Sequence, residues 1–330
     1  MSDLGERAVI ARIQSRLPHD PARLPVGIGD DAAVAVPERG ALQVLTTDAL
    51  IEGIHFDRRF SSAADVGYKA LAVNVSDVAA MGATPSLALL SLMLPPSLPV
   101  SVLDELVTGF LEMAGEARVA LAGGNISESP GPLIVDVTVT GHVRPRRILT
   151  RGGGRPGDAL FVTGAVGAAA AGLGWLRSGR QEAPSASLAE CVARHRRPEP
   201  RHRIGALLGR NRAANACMDL SDGLADAVRQ VSEASGTGAR INAAALPIPA
   251  GAREWFEAAG TDPVLSAVAG GDDYELLFAV SRRAARRLRT VVQQARGVPV
   301  TRIGELTADT SLVVVHDGAT TELPSGFAHF

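Results

Sequence analysis

The feature that most constrains the fold is an alternation of strand-like and helix-like segments along the chain. Residues 41–50 have the β-branched and apolar content of a strand, and residues 63–83 carry apolar residues at helical spacing before a glycine stop signal. Residues 98–119 repeat the amphipathic helical pattern, and residues 132–143 alternate as a strand does. Strands that alternate with helices are typical of an α/β fold.

A break in this alternation predicts two domains. Charge, glycine and proline collect at residues 144–158, and we place the boundary there, giving domains 1–148 and 149–330. The second domain begins with a strand that runs through Thr163 into an alanine-rich helix. A length of 330 residues suits two domains better than one core.

The rest of the second half continues the alternation, with one polar interruption. Residues 194–203 are basic and punctuated by proline, and we interpret them as a solvated connector. Residues 216–236 predict a strand, a turn and a helix that Asp222 can cap. Residues 264–280 place an acidic turn between two strand-like runs. Both turns carry carboxylates beside glycine.

Composition and charge exclude several functional classes. The formal net charge of −2 gives no general electrostatic case for nucleic acid or an anionic membrane as partner. The first residues lack the apolar core of a signal peptide, and the longest apolar run, residues 87–94, is too short to span a bilayer. Cys191 and Cys217 stand far apart, which gives no zinc framework and predicts two small buried side chains. We therefore expect a cytoplasmic protein.

The chain contains a single lysine, Lys69, which follows a tyrosine. A Walker A loop requires a lysine after a glycine, so a P-loop is excluded and any nucleotide must be bound differently. We assign Lys69 no chemical role.

The stretch GIGDDAAV, residues 27–34, fits the G-x-G-x-x-A pattern of a dinucleotide fingerprint, whose backbone amides approach a pyrophosphate. Asp30 and Asp31 would put negative charge where the anion sits, so this interpretation requires cations between the carboxylates and the phosphates. The alternative is an ordinary surface turn.

Acidic residues beside glycine, serine or threonine recur at the ends of apolar segments and form a candidate metal set. Carboxylates at such buried edges are costly unless they are paired, and the sequence offers no His/Cys cluster. Oxygen ligands favour Mg²⁺, which shares its coordination shell with substrate phosphates. For each aspartate the alternative is a helix cap or a turn, and this alternative competes with metal binding at every position except Asp31 and Asp48. The set comprises Asp30, Asp31, Asp48, Asp77, Asp219, Asp222, Asp272, Asp273 and Glu275.

Six ordered stretches, spread over nearly the whole chain, closely resemble the thiamine-monophosphate kinase family. They are GIGDDAAV (27–34), TTDALIEGIHF (46–56), YKALAVNVSDVAAMGA (68–83), LTRGGGRPGDALFVTG (149–164), MDLSDGL (218–224) and GGDDYEL (270–276). The resemblance implies a two-domain α/β (α+β) fold of the aminoimidazole ribonucleotide synthetase type. It also implies a homodimer whose N-terminal strands close a shared barrel, with an N-terminal ATP/Mg-binding and dimerisation domain and a C-terminal α/β domain.

The activity that the resemblance implies is ATP-dependent phosphorylation of thiamine monophosphate to thiamine diphosphate, with several Mg²⁺ ions bridging the nucleotide phosphates. The attacking group is a phosphate oxygen of the acceptor, which is largely dianionic at neutral pH, so no general base is expected. ATP is thus a co-substrate, and thiamine monophosphate is the other partner.

Carried over position by position, the resemblance implies three groups of site residues. Those for metal binding are Asp30, Asp31, Thr46, Thr47, Asp48, Asp77, Asn125, Asp219 and Asp222. Those for ATP are Gly124, Asn125, Arg151 and Ser221, and those for the substrate are His55, Asp272 and Phe327. For His55 the alternative is a structural histidine, and for Phe327 it is anchoring of the tail.

The sequence departs from the family pattern at GGNIS, residues 123–127, where Asn125 replaces the family's aspartate. An asparagine carbonyl can bind Mg²⁺ but removes one negative charge from the shell. Pro324 also stands where related proteins often carry an aromatic residue. A nucleotide-binding sensor without turnover, or a kinase of another small phosphorylated acceptor, is therefore the alternative function.

The other members of the superfamily fit less well. Selenophosphate synthetase chemistry requires a reactive cysteine and lysine near the N-terminus, and neither precedes Lys69. The hydrogenase-maturation protein requires a C-terminal cysteine, whereas this sequence ends in AHF. Aminoimidazole ribonucleotide synthetase matches poorly at residues 46–56 and 270–276.

Overall fold

The computed structural model describes residues 6–18, 20–28, 31–316 and 318–326. Its contacts divide the chain into two compact units. The first comprises the described residues of Met1–Val78 together with Thr84–Pro145, and the second comprises Ala79–Ala83 together with the described residues of Arg146–Phe330. The division after Pro145 lies close to the one drawn from the sequence after residue 148, but the segment 79–83 clusters with the second unit.

The first unit contains a mixed sheet with the strand order β1-β4-β2-β3. Strand β4 pairs antiparallel with both β1 and β2, and β2 pairs parallel with β3. The parallel pair requires a crossover, which a helix provides. The elements are α1 (Glu6–Gln14), β1 (Leu42–Ile51), α2 (Ala63–Ala80), β2 (Thr84–Leu94), α3 (Val100–Ala117), β3 (Ala120–Glu128) and β4 (Ile134–Val143).

Helices α2 and α3 pack with their backbones in contact. A Cβ at Gly67 would lie 1.9 Å from the Leu106 carbonyl oxygen, and one at Gly109 would lie 1.8 Å from the Ala64 carbonyl oxygen. Only glycine permits such an approach, so these two positions explain why the helices pack so closely.

One face of this sheet is buried and the other is open among the described residues. Along β4, residues with odd numbers from Val135 to Val143 are buried, and the intervening residues are partly exposed. On the open face, Leu45 of β1 is 65% exposed and Leu89 of β2 is 41% exposed. Two large apolar side chains therefore lie on the open face.

The second unit contains a larger sheet with the strand order β11-β10-β7-β9-β5-β8-β6. Its neighbouring strands are antiparallel, except that β10 and β7 are parallel. The strands are β5 (Ala159–Thr163), β6 (Ala216–Asp219), β7 (Gly238–Asn242), β8 (Leu276–Val280), β9 (Val300–Thr307), β10 (Leu312–His316) and β11 (Ala319–Glu322).

Helices cover both faces of this sheet. Leu160 belongs to one apolar cluster and its neighbour Phe161 packs on another, because successive side chains of β5 point to opposite faces. Phe161 and Phe278 stack with their ring centres 5.8 Å apart. The helices are α4 (Ala168–Arg177), α5 (Ala186–Arg196), α6 (His202–Asn211), α7 (Leu224–Ser235), α8 (Ala250–Ala258), α9 (Pro263–Ala269) and α10 (Ala285–Gln294).

Both cysteines are buried, as the sequence predicted. Burial raises the pKa of Cys191 to about 11 and also raises the pKa of Cys217. The two thiols therefore stay protonated and behave as small apolar side chains. Within the described part of the chain, no helix combines the length and apolar character needed to cross a bilayer.

Three local predictions were wrong. Residues 264–269 form helix α9 rather than a strand, because Asp262 Oδ1 accepts hydrogen bonds from the backbone amides of Val264 and Leu265 at 2.8 and 2.9 Å. Asp222 does not cap α7, which begins after Gly223 without a side-chain cap. The third concerns residues 194–203, in which Arg201 and His195 are buried rather than solvated.

Candidate active site

Strand β1 directs Thr46 and Asp48 to the buried face of its sheet, the face that also receives Leu50. The Thr46 hydroxyl donates a hydrogen bond to Asp77 Oδ2 at 2.5 Å, which joins β1 to the end of α2. Two residues along a strand span about 6.6 Å, so Asp48 lies near this contact. The first unit thus brings together Thr46, Asp48 and Asp77.

Thr47 faces the opposite side of the sheet, because side chains alternate along β1. Its hydroxyl lies 3.2 Å from Asp136 Oδ1 and 3.1 Å from the Thr138 hydroxyl, both on β4. It also donates to the Val137 carbonyl oxygen at 3.2 Å. Within one chain, Thr47 and Thr46 therefore do not share a binding site.

Asn125 lies on β3, at the opposite edge of the sheet from β1. It is level with Ser91 on β2, which is level with Asp136 on β4 and then with Ala49 on β1. Three strand spacings correspond to about 14 Å. Because Asn125 is level with Ala49, the neighbour of Asp48, its side chain points to the opposite face of the sheet from Asp48. Within one chain the two residues are therefore distant from each other.

The neighbouring Gly124 allows two strand backbones to approach closely. A Cβ at this position would lie 1.8 Å from the Leu90 carbonyl oxygen. A larger residue would therefore push β3 away from β2.

His55 lies in the turn that follows β1 and is partly buried. Its Nδ1 accepts a hydrogen bond from the Ile51 amide at 3.0 Å, and its own amide donates to the Ile51 carbonyl oxygen at 2.9 Å. In the neutral imidazole the proton therefore resides on Nε2, the nitrogen that can donate to a ligand. These two hydrogen bonds fix the ring within the turn.

The remaining candidates of the first half are less informative. Asp31 is exposed in an irregular segment, and Lys69 is buried in α2. Asp30 lies outside the described residues, as does Phe327 in the second half.

In the second unit, the stretches MDLSDGL and GGDDYEL are hydrogen-bonded to each other. Strand β6 ends at Asp219, and the following turn carries Ser221 and Asp222. The Asp272 amide donates to the Ser221 carbonyl oxygen at 2.7 Å, and the Tyr274 amide donates to the Leu220 carbonyl oxygen at 3.0 Å. These backbone bonds bring Asp272 to the turn that carries the predicted metal and nucleotide ligands.

The four polar residues of GGDDYEL have different structural roles. Asp272 is partly exposed and Tyr274 bends back toward it, donating its hydroxyl to Asp272 Oδ1 at 3.2 Å. Asp273 is buried and accepts hydrogen bonds from the amides of Gly167 and Ala169, at 2.6 and 3.0 Å, where α4 begins. Asp273 therefore anchors the loop to α4 and does not face the site.

Burial raises the pKa of Asp273 to about 7, and the two backbone hydrogen bonds oppose that rise. The carboxylates of Glu275 and Asp272 raise it further.

Glu275 is held by Arg201 from the basic segment. Arg201 Nε lies 2.6 Å from Glu275 Oε2, Nη2 lies 2.5 Å from Oε1, and both side chains are buried. The Thr163 hydroxyl also donates to Glu275 Oε2 at 2.6 Å. The sequence analysis did not predict this pair. Glu275 stands beside an apolar strand in a chain with a single lysine, and this was a signal that its partner would be an arginine.

Arg151 lies against α7. Its Nη1 donates to Gln230 Oε1 at 2.5 Å, and Gln230 in turn donates to Asp226 Oδ2 at 2.5 Å. The end of the described chain reaches the same helix, because a Cβ at Gly326 would lie 2.7 Å from Asp226 Cβ and 2.9 Å from the Asp222 carbonyl oxygen. The second unit thus gathers Arg151, the turn at Asp222 and the tail around the first turns of α7.

The donor atoms in both units are carboxylate and hydroxyl oxygens, which fit Mg²⁺. Among the described residues, no group of three or more His, Cys, Asp or Glu side chains is arranged to hold a metal by itself.

Comparison with known proteins gives matches over nearly the whole chain. A family model described as AIR synthase related protein, N-terminal domain, matches residues 29–143, and the model for the C-terminal domain matches residues 155–317. The thiamine-monophosphate kinase of Rhodopirellula baltica is 35% identical, and the match covers 98% of this chain and 97% of that protein.

Two solved structures are also similar throughout. The crystal structure of thiamine-monophosphate kinase from Stenotrophomonas maltophilia is 34% identical, with a TM-score of 0.84, and the match covers 97% of this chain and 98% of that one. The structure of AaThiL complexed with AMPPCP and TMP is 33% identical, with a TM-score of 0.78, and the match covers 100% of this chain and 98% of that one.

Proposed function

Because the chain belongs to the thiamine-monophosphate kinase family, we propose that it transfers the terminal phosphoryl group of ATP to thiamine monophosphate, giving thiamine diphosphate. Its two-domain, mixed α/β fold is that of AIR synthase related proteins, which confirms the fold class expected from the sequence. The observation that carries the proposal is the full-length similarity to a protein complexed with AMPPCP and TMP.

The reaction needs two phosphates to meet in line, so repulsion between anions is the main obstacle. Bound Mg²⁺ would supply positive charge that neutralises the transferring group. The donors Thr46, Asp48 and Asp77 of the first unit, with Asp219 and Asp222 of the second, fit that ion by chemistry. Arg151 adds a fixed positive charge for the nucleotide phosphates, and the dianionic acceptor needs no base.

The proposed site keeps all the residues that the family resemblance implied. The metal set is Asp30, Asp31, Thr46, Thr47, Asp48, Asp77, Asn125, Asp219 and Asp222. ATP contacts Gly124, Asn125, Arg151 and Ser221, and the substrate contacts His55, Asp272 and Phe327. The strongest support for this set comes from two observed contacts. They are the hydrogen bond between Thr46 and Asp77 and the backbone hydrogen bond from Asp272 to Ser221.

We further propose that the protein is a homodimer in which the N-terminal sheets of two chains close a barrel. The support is the open sheet face with its exposed Leu45 and Leu89. Thr47 and Asn125 lie on that same face, so a second copy would cover both residues. In this proposal the N-terminal domain, residues 1–148, binds ATP and Mg²⁺ and dimerises, and residues 149–330 form the C-terminal α/β domain. A cytoplasmic location stays a prediction.

The test is incubation of the protein with ATP, MgCl₂ and thiamine monophosphate, followed by chromatographic analysis for thiamine diphosphate. Unphosphorylated thiamine and a second phosphomonoester, pyridoxal phosphate, serve as alternative acceptors. Thiamine diphosphate formed only with thiamine monophosphate supports the proposal. ATP binding without any product would instead support the sensor function that Asn125 suggests.

A further inference from the structure

The carboxylate of Asp272 is contacted on both oxygens by side chains that have no role in the proposed reaction. The Tyr274 hydroxyl donates to Oδ1 at 3.2 Å, and His195 Nδ1 lies 3.5 Å from Oδ2. The His195 side chain is 4% exposed, whereas that of Asp272 is 32% exposed. Oδ1 is therefore hydrogen-bonded, a buried imidazole lies beside Oδ2, and the rest of the carboxylate faces solvent.

The backbone around Asp272 adopts a conformation that few side chains tolerate. Asp272 has φ of 70° and Tyr274 has φ of 50°, both in the left-handed region. Hydrogen bonds from their amides to residues 221 and 220 hold them there. Strained backbone of this kind persists where the surroundings enforce it, and it is concentrated at functional sites.

A chain of ion pairs connects the helix of His195 to the loop of Tyr274. Arg194, next to His195, lies 2.9 Å from Glu199, which lies 3.0 Å from Arg201. Arg201 in turn binds Glu275, next to Tyr274. The basic segment 194–203 is thus part of the support that holds both residues against Asp272.

We infer that His195 and Tyr274 are positioning residues that orient the Asp272 carboxylate toward the amino group or the cationic ring of thiamine monophosphate. This inference rests on the proposed function. A carboxylate with a hydrogen bond on one oxygen and a buried imidazole beside the other loses less rotational freedom when a ligand binds, so part of the entropic cost of binding is removed in advance. Because such a contact acts equally in the ground state and the transition state, it lowers KM and leaves kcat unchanged.

The first test is Tyr274→Phe, which removes one hydroxyl and keeps the ring. We expect the KM for thiamine monophosphate to rise about tenfold, the lower range for one hydrogen bond to a charged group, with kcat and the KM for ATP within about twofold. A structural role alone would lower the amount of folded enzyme and would not change KM selectively.

The matched control is Tyr68→Phe, since the sequence contains only these two tyrosines. The Tyr68 hydroxyl donates to Glu116 Oε2 at 2.9 Å within the first unit, whereas Asp272 belongs to the second unit. The control should leave both KM values unchanged. If Tyr68→Phe raised the KM for thiamine monophosphate as much as Tyr274→Phe does, the positioning role would be overturned.

His195 is tested by its two replacements. His195→Asn places an amide nitrogen near the position of Nδ1 and should keep the KM for thiamine monophosphate within about twofold, whereas His195→Leu removes the polar atom beside Oδ2 and should raise it about fivefold. In an Asp272→Ala background His195→Leu should have no further effect, because the residue acts through that carboxylate. Additive effects would contradict the inference.

Calorimetric titration with thiamine monophosphate separates the two proposals. A wild type that neither binds nor converts thiamine monophosphate overturns the proposed function and this inference with it. A wild type that binds it, while Tyr274→Phe and His195→Leu bind equally well, overturns only the inference.

Discussion

Arg201 and Glu275 bind each other through two hydrogen bonds in the interior of the second unit. The pair links the residue before α6 to the residue before β8, two positions far apart in the sequence. Thr163 supplies a third donor, so both carboxylate oxygens are satisfied. A buried ion pair with this geometry holds the loop of Asp272 in place.

Removing one member of that pair should destabilise the protein. Arg201→Leu leaves the Glu275 carboxylate buried without its counter-charge, and we expect the free energy of unfolding to fall by about 3–5 kcal/mol. Urea denaturation followed by circular dichroism measures the change. Arg194→Ala is the control, because its pair with Glu199 is partly exposed and should contribute at most about 1 kcal/mol. Equal losses in the two variants would contradict a special role for the buried pair.

Asp273 should make stability depend on pH between about 4 and 7. Its pKa is raised from 3.8 to about 7 in the folded state, mainly by burial, so the folded protein keeps a proton that the unfolded chain has lost. The contribution of Asp273 is therefore fully present below pH 4 and is lost as the pH rises to 7.

The measurement is urea unfolding of wild type and Asp273→Asn from pH 4.5 to 8. Relative to the variant, the wild type should lose stability on the order of a few kcal/mol across this range and then level off. A difference that stays constant with pH would show that Asp273 is ionised throughout.

Asp48 and Asp77 should be essential for turnover and dispensable for folding. Each Asp→Ala variant removes a carboxylate that is proposed to bind Mg²⁺ near the Thr46–Asp77 hydrogen bond. We expect a loss of at least about 100-fold in kcat, as for other groups that stabilise charge in the transition state. Circular dichroism checks the fold. Asp104→Ala, which removes a carboxylate paired with Arg12 on the surface, is the control. Near-native rates for Asp48→Ala or Asp77→Ala at saturating Mg²⁺ would refute the metal assignment.

Compared with an aspartate at the same position, Asn125 should raise the Mg²⁺ concentration that the enzyme needs for half-maximal rate. An amide oxygen carries less negative charge than a carboxylate, so Asn125→Asp should lower the half-saturating Mg²⁺ concentration without changing the acceptor. The measurement is a titration of rate against Mg²⁺ at fixed MgATP. Identical curves would mean that position 125 does not touch the metal shell, and an active variant beside a silent wild type would favour the sensor function.

The helices and strands predicted from the periodicity of apolar residues were confirmed where the periodic pattern was long. Helices α2 and α3 and strands β1 and β4 lie where the spacing of apolar residues indicated. Helix α9 was missed because a run of six mostly apolar residues looks alike in a strand and a short helix, and Asp262 with Pro263 decides between them. Periodicity identifies long elements because many residues contribute to it.

Contacts distant in sequence could not be predicted in the same way. Strand alternation separates Thr46 from Thr47 wherever β1 is a strand, but the position of Asn125 depends on the strand order, which no local pattern reveals. Arg201 was predicted to be solvated because its partner, Glu275, lies far along the chain, with several helices and strands between them. The acidic residues remain a predicted set, whereas the different surroundings of Asp272, beside the turn of Ser221, and Asp273, at the start of α4, could be read only from the fold.

The last residues of α2 are synthesised early, but the residues that bury them are synthesised much later. Ala79 and Ala80 belong to the apolar cluster that also contains Leu208 and Phe278, and Gly205 packs against the Ala79 carbonyl oxygen. During synthesis on the ribosome these alanines emerge long before their partners, so the end of α2 stays unburied while the second unit is still being translated. Cutting the gene near residue 145 would therefore give a C-terminal fragment that lacks part of its own core.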